Sequence, residues 1–177
     1  MSASVEIGPV SADPGDLDDL AQVLVEVVAA GGSVSFMHPL AVERARGFWE
    51  RSIAAAGRGE RVVLGARCEG RLVATVTLDL DCPENQPHRA EVAKLMTRPD
   101  HRGRGIARSL MVGLERLAVE RGRTLLTLDT AAEDGAAGLY ERLGYEKAGV
   151  IPDFALRPHG ELTATILYYK RIGPARV

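Results

Sequence analysis

Residues 89–130 change hydrophobic period twice, and this constrains the fold more than any other feature of the chain. Arg89 to Thr97 alternates as a strand does, with Glu91, Ala93 and Leu95 on one face and Val92, Lys94 and Met96 on the other. Ile106, Leu110, Leu114, Leu117 and Ala118 then recur at helical spacing, and the pattern ends near Gly122. Leu125 to Thr130 is a strand again. A strand, a helix and a strand in this order predict a parallel pair joined by a right-handed crossover.

The flanking segments extend this unit. Val5 to Val10 fits an edge strand. Asp13 starts a helix with Pro14 in its first turn, Leu17, Leu20, Leu24, Val27 and Val28 form its apolar stripe, and Gly31-Gly32 stops it. A second helix over 41–56 carries Ala45, Phe48, Trp49 and Ile53 on one side and ends at Gly57 and Gly59. Strands 61–67 and 72–80 form a hairpin about Glu69-Gly70. In the second of them Leu72, Ala74, Val76, Leu78 and Leu80 face one way, and Val73, Thr75, Thr77 and Asp79 the other. Residues 81–87 are a polar loop. A short helix is expected over 134–143, closed by Gly144, then strands 145–150 and 162–170 joined by a loop over 151–161. The predicted architecture is α/β, a mixed sheet with a central parallel pair and helices on both faces. No repeat or linker divides the chain, so 1–177 reads as one domain.

Composition removes several function classes. The chain has 22 basic and 24 acidic residues and a formal net charge of -2, unlike a dedicated nucleic-acid binder. It lacks an apolar run of the roughly 18 residues a membrane span needs. The segment MSASVEIGPV has no basic region followed by an apolar core, which predicts no secretory signal. Cys68 and Cys82 have neither the spacing nor the His partners of a zinc site, and the four His residues are scattered. A cytoplasmic protein with reduced thiols and no metal is expected.

The densest signal is RPDHRGRGIARSLM, residues 98–111, between a strand end and a helix start. Small residues admit a ligand close to the backbone, and a helix N-terminus offers unpaired N–H groups and a positive dipole end. Such a place binds phosphate. The P-loop pattern is absent because no Lys follows the glycines. The dinucleotide fingerprint fails because Arg108 stands where its third Gly belongs. On spacing alone, a glycine-rich turn with solvated arginines is the alternative.

RAEVAKLMTRPDHRGRGIARSLM (89–111), LLTLDT (125–130) and LYERLGYEKAGVIP (139–152) together resemble the GNAT superfamily of acetyl-CoA-dependent N-acetyltransferases. The resemblance covers roughly 60–171 by motif, and the first two helices fit by order. The stretches RAEVAKLM and GYEKAGVIPDFALRPHGELTATILYYK are most similar to the tabtoxin-resistance branch, which acetylates a small amine toxin. The implied sheet is mostly antiparallel, with 125–130 splaying away from 89–97 to admit the cofactor. The implied cosubstrate is acetyl-CoA. Leu95, Met96 and Thr97 would pair with its pantetheine arm, and a main-chain N–H there would polarise the thioester carbonyl. The amides of Arg102, Gly103, Arg104, Gly105, Ile106, Ala107 and Arg108 would hold its pyrophosphate.

The resemblance also implies catalytic roles. Tyr140 falls where the family keeps a Tyr that protonates the departing thiolate and touches the cofactor. Glu91 and Asp129 are candidates for the base that an attacking ammonium needs. Each fits an ion pair equally well, Glu91 with Arg89 or Lys94 with Asp129. Glu133 stands where the family often has a cofactor-contacting Asn. No cysteine falls in a family motif, so direct transfer in a ternary complex is expected. Around the acceptor the fold implies Ser33, Phe36, Met37, His38, Phe48, Trp49 and Phe154, with Glu91 as its acid, although Phe48 and Trp49 also fit a plain core. A small-molecule amine is the expected acceptor. A protein or peptide acceptor, or a non-catalytic acyl-CoA sensor, is the alternative. Monomer and homodimer both remain open.

Overall fold

The computed structural model of the protein describes residues 5–133 and 135–173. Along the chain lie β1 (Val5–Pro9), α1 (Pro14–Ala29), α2 (Val42–Gly57), β2 (Arg61–Cys68), β3 (Arg71–Asp79), β4 (Arg89–Thr97), α3 (Ile106–Glu120), β5 (Leu125–Ala131), α4 (Ala137–Arg142), β6 (Glu146–Leu156) and β7 (Leu162–Arg171). The seven strands form one sheet in the order β1-β2-β3-β4-β5-β7-β6. Only β4 and β5 run parallel; the other neighbours are antiparallel.

Local chemistry explains most boundaries. The Asp13 carboxylate caps α1 by accepting the Gly15 N–H at 2.8 Å, and Pro14 follows where its missing N–H costs nothing. Glu69 and Gly70 both have positive φ, the geometry of a tight hairpin turn between β2 and β3. Helices cover both faces. On one side α1 and α2 bury Leu20, Leu24, Val28 and Trp49 against Val63, Leu72 and Met96. On the other, α3 buries Leu110, Met111 and Leu114 against Val76, Leu78, Val92 and Leu126, with Tyr140 and Tyr168 at one end.

Among the described residues the register shifts at four places, one of them between Lys147 and Gly149 in β6, and the other three redirect the chain. In β3, Ala74 pairs with Ala66 and Leu72 with Arg67, so Val73 is the extra residue. Leu72 therefore turns to the α1/α2 side, while Ala74, Val76 and Leu78 stay with α3, against the single face expected for all of them. In β4, Ala93 pairs with Thr77 and Met96 with Thr75, so three steps on β4 match two on β3. Lys94 sits in this bulge at φ +54°. Val92 consequently packs under α3 and Met96 under α1, not on one face together. In β6, pairing jumps from Ile151 to Ala155, and Asp153 has φ +51°. The segment expected as a loop over 151–161 is thus strand as far as Leu156. Pro152 is tolerated there because β6 is an edge strand and the bulge needs no N–H from it.

The short helix is Ala137–Arg142, not 134–143; Asp134 lies outside the described residues. It ends through Gly144, whose φ is +83°.

Candidate active site

The parallel pair holds for only three residues. Arg89, Ala90 and Glu91 face Leu125, Leu126 and Thr127, and beyond that the strands part. The opening is a cavity of about 660 Å³ walled by β4 from Val92 to Thr97, by Asp129, Thr130 and Ala131 of β5, and by Leu139 and Tyr140 of α4. At one end stand Arg102 and Ala107. At the other, Gly31 to Ser35 meet Phe154 to Arg157 and Thr163 to Thr165.

At the first end the chain turns from β4 into α3. Gly103 and Gly105 have φ +75° and +77°, and a Cβ added at either would meet nothing within 4 Å. Glycine is needed there for its backbone angle, not for space. Gly105 is the N-cap of α3 and no side chain caps that end, so the first-turn amides are open to an external acceptor. The arginines serve different ends. Arg98 pairs with Glu26 of α1 at 2.9 Å, Arg102 Nε donates to the Thr97 carbonyl, Arg104 donates to the Asp100 carbonyl, and Arg108 is exposed. The Ile106 side chain is 3% exposed and anchors α3 in the core. An uncapped helix start, two left-handed glycines and a β4 edge released from β5 fit a ligand with an anionic end and an amide-bearing arm, which is the chemistry of coenzyme A.

In mid-cavity are Tyr140 and Asp129. Tyr140 is buried, and its ring meets Tyr145 edge-on at 5.8 Å and Tyr168 at 5.9 Å. Burial pushes its phenol above the ordinary value near 10, and the nearby Asp129 charge adds to the effect, so it is a proton-bearing group at neutral pH. Asp129 is positioned by β7: Thr165 Oγ1 donates to Asp129 Oδ2 at 2.7 Å.

The other candidate carboxylate lies elsewhere. Glu91 sits below the point where the strands part and is not part of the cavity wall. Its side chain is half exposed and pairs with Arg89 at 3.4 Å. The expected aromatic wall is divided. Phe154 and Ser33 line the cavity. Phe36 packs edge-on to Phe48 at 5.3 Å, and Phe48 on Trp49 at 5.0 Å. Trp49 is fully buried core, and Met37 and His38 are exposed beside the cavity rather than in its wall.

Two further groups on the cavity wall had no functional reading in the sequence, where Lys94 figured only as an ion-pair candidate for Asp129, a pair that does not form among the described residues. Lys94, held in the β4 bulge, donates from Nζ to Ser35 Oγ at 3.0 Å and lies 5.9 Å from the Phe48 ring centre. A left-handed conformation in a non-glycine residue costs about 1–2 kcal/mol, and such strain marks places where geometry serves a purpose. A lysine inside an apolar strand was the available signal. Thr165 carried none, because only the β5–β7 register brings it to Asp129. Glu133 does line the cavity, where it pairs with Arg157 at 3.2 Å.

Residues 33–145 match the model of the acetyltransferase (GNAT) family. The chain belongs to that family. Its members are acetyltransferases. Human N-acetyltransferase 8B is 35% identical over 86 residues, 48% of this chain but only 38% of that protein, so the chain spans well under half of that relative. An N-acetyltransferase from Staphylococcus aureus superimposes with a TM-score of 0.80 at 16% identity, covering 96% of this chain and 99% of that one. The yncA protein from Salmonella typhimurium, solved with its cofactor acetyl-CoA, gives 0.77 at 15% identity, covering 98% and 96%. At these identities the two structures support the fold alone. Among the described residues no helix is long and apolar enough to cross a membrane, and no cluster of His, Cys, Asp and Glu could hold a metal ion.

Proposed function

We propose that this protein transfers the acetyl group of acetyl-CoA to a primary amine of a small molecule, by direct attack in a ternary complex. The observation that carries the proposal is the cavity between the parted strands, which holds a buried, proton-bearing phenol and a carboxylate together. When bound, acetyl-CoA supplies the acetyl thioester. The β4 edge from Leu95 to Thr97 orients the arm of the donor, and a main-chain N–H there stabilises charge on the reacting oxygen. The amides from Gly103 to Arg108 take the pyrophosphate. Asp129, held by Thr165, attracts the acceptor's ammonium and draws off its proton, directly or through water. The amine nitrogen forms a bond to the acetyl carbon, the carbon–sulfur bond breaks, Tyr140 gives the leaving sulfur its proton, and the nitrogen's second proton, lost as the amide forms, restores the phenol. Glu91 has an outer, electrostatic role in this scheme, because it lies off the cavity.

Enclosure favours a small acceptor over a protein. The segment between α1 and α2 docks onto the β6–β7 turn: His38 N–H donates to the Pro158 carbonyl at 2.9 Å, and His159 Nε2 bonds the Ala29 carbonyl at 3.2 Å. This contact narrows the cavity mouth, which supports a small acceptor over a polypeptide. The similarity to tabtoxin resistance adds amine toxins to the acceptors worth testing, in a cytoplasmic detoxifying role. The test is thiol release from acetyl-CoA across a panel of small amines and N-terminal peptides. Turnover of at least one small amine is expected. Tight acetyl-CoA binding with no thiol released by any acceptor would overturn the proposal in favour of a sensor. Turnover confined to the peptides would overturn it in favour of a protein acceptor.

A further inference from the structure

The acceptor end of the cavity holds a cation that the acetyl-transfer scheme does not use. Lys94 is set in the β4 bulge one residue before Leu95, where the donor arm would run, and it lines the cavity with Ser35 and Asp129. Its ammonium has three donors; one goes to Ser35 Oγ, and its other contact is the face of Phe48. Among the described residues it makes no ion pair. The other cations on the wall are engaged, Arg157 by Glu133 and Arg102 by the Thr97 carbonyl. Lys94 and Asp129 therefore present a separated positive and negative group to one acceptor.

We propose that Lys94 is the specificity residue of the acceptor site and that the acceptor is an amine carrying a carboxylate, an amino acid or a close analogue. The carboxylate sits against the Lys94 ammonium and the Ser35 hydroxyl, and the amine sits towards Asp129. The arrangement satisfies three demands at once. The half-buried ammonium gains an anionic partner, the acceptor's two charges each find an opposite one, and the amine is anchored beside the donor edge. Burial draws the free Lys94 ammonium below the usual lysine range, against the opposing pull of Asp79 and Asp129, so a bound anion would raise it again. Ser35 has φ +72°, so both residues of this contact are held in left-handed backbone. The proposal rests on the acetyl-transfer reading above.

The experiment compares matched acceptors that differ only in the carboxylate: L-leucine with isopentylamine, L-phenylalanine with phenethylamine, and L-lysine with cadaverine. Wild-type protein is expected to favour the carboxylate-bearing member of a pair by about 10- to 100-fold in kcat/KM, the range of one charge-assisted hydrogen bond. Lys94→Met keeps the length of the side chain and removes its charge. It should reduce that preference to within about 3-fold, acting on KM for the acid and sparing the plain amine, while Lys94→Arg retains part of it. Calorimetric acetyl-CoA affinity reports whether the variants are folded, and the wild-type comparison decides the matter without them. Equal use of acid and amine by wild type, or a preference that survives in Lys94→Met, would overturn this inference and leave acetyl transfer intact. No thiol release from any amine would overturn both.

Discussion

Thr165 on β7 donates its hydroxyl hydrogen to Asp129 on β5 across the antiparallel ladder, at 2.7 Å. That bond turns a strand carboxylate into a positioned one. It uses one lone pair of Oδ2 and leaves the rest of the carboxylate towards the cavity, in the field that helps keep Tyr140 protonated.

Asp129→Asn is expected to lower kcat/KM by about 10²-fold, the lower end of the range for a general base. Thr165→Val should cost about 10-fold, and the double variant little more than Asp129→Asn, because Thr165 acts through Asp129. Glu91→Gln should stay within about 3-fold, as expected for an exposed ion-pair partner. Steady-state thiol release measures all four. A larger loss in Glu91→Gln than in Asp129→Asn would reverse the assignment.

Tyr140→Phe should lower kcat by about 10²- to 10⁴-fold while leaving acetyl-CoA affinity within a few-fold. The ring keeps its packing on Tyr145 and Tyr168, so the thermal midpoint should shift little. Unchanged kcat in a folded variant would remove Tyr140 from the proton path.

Stability should fall at alkaline pH. Burial pushes the phenols of Tyr140 and Tyr145 up from the ordinary value near 10, with Asp129 reinforcing the first and Glu115 the second. Unfolded tyrosines ionise first, so unfolding releases protons above about pH 10. Their contribution is complete below that value and is lost as pH rises towards the folded values. Tyr145→Phe should show a smaller drop in thermal midpoint between about pH 9.5 and 11 than wild type; identical slopes would contradict it.

Gly105→Ala places a side chain at φ +77° on the N-cap of α3. Strain of about 1–2 kcal/mol must be borne or relieved by moving the loop. Acetyl-CoA affinity is expected to fall about 10-fold by calorimetry, with acceptor KM unaffected. Gly122→Ala, at φ +71° away from the cavity, should cost similar stability without the loss of affinity.

Much of the fold was legible because it depends on local rules. Asp13-Pro14 starts a helix, Glu69-Gly70 closes a hairpin, and the period change over 89–130 yields the one parallel pair. The glycine turn before α3 was legible for the same reason, since Gly103 and Gly105 carry their backbone angles in their identity. The acceptor end was not. Alternation assigns faces only while no bulge intervenes, and bulges at Val73 and Lys94 reassign Leu72 and Met96. Trp49 illustrates the same limit, because an aromatic on a helix stripe suits a core and a pocket equally until its neighbours are known.

The sequence by itself determined the order of elements, the polar turn before α3 and the tyrosine of α4. Only the tertiary structure decided which carboxylate shares the cavity with that tyrosine and which lysine lines its wall. A bulge is a mismatch between two paired strands, so neither strand's own pattern contains it, and the side chain it redirects acquires its surroundings only when the sheet is assembled.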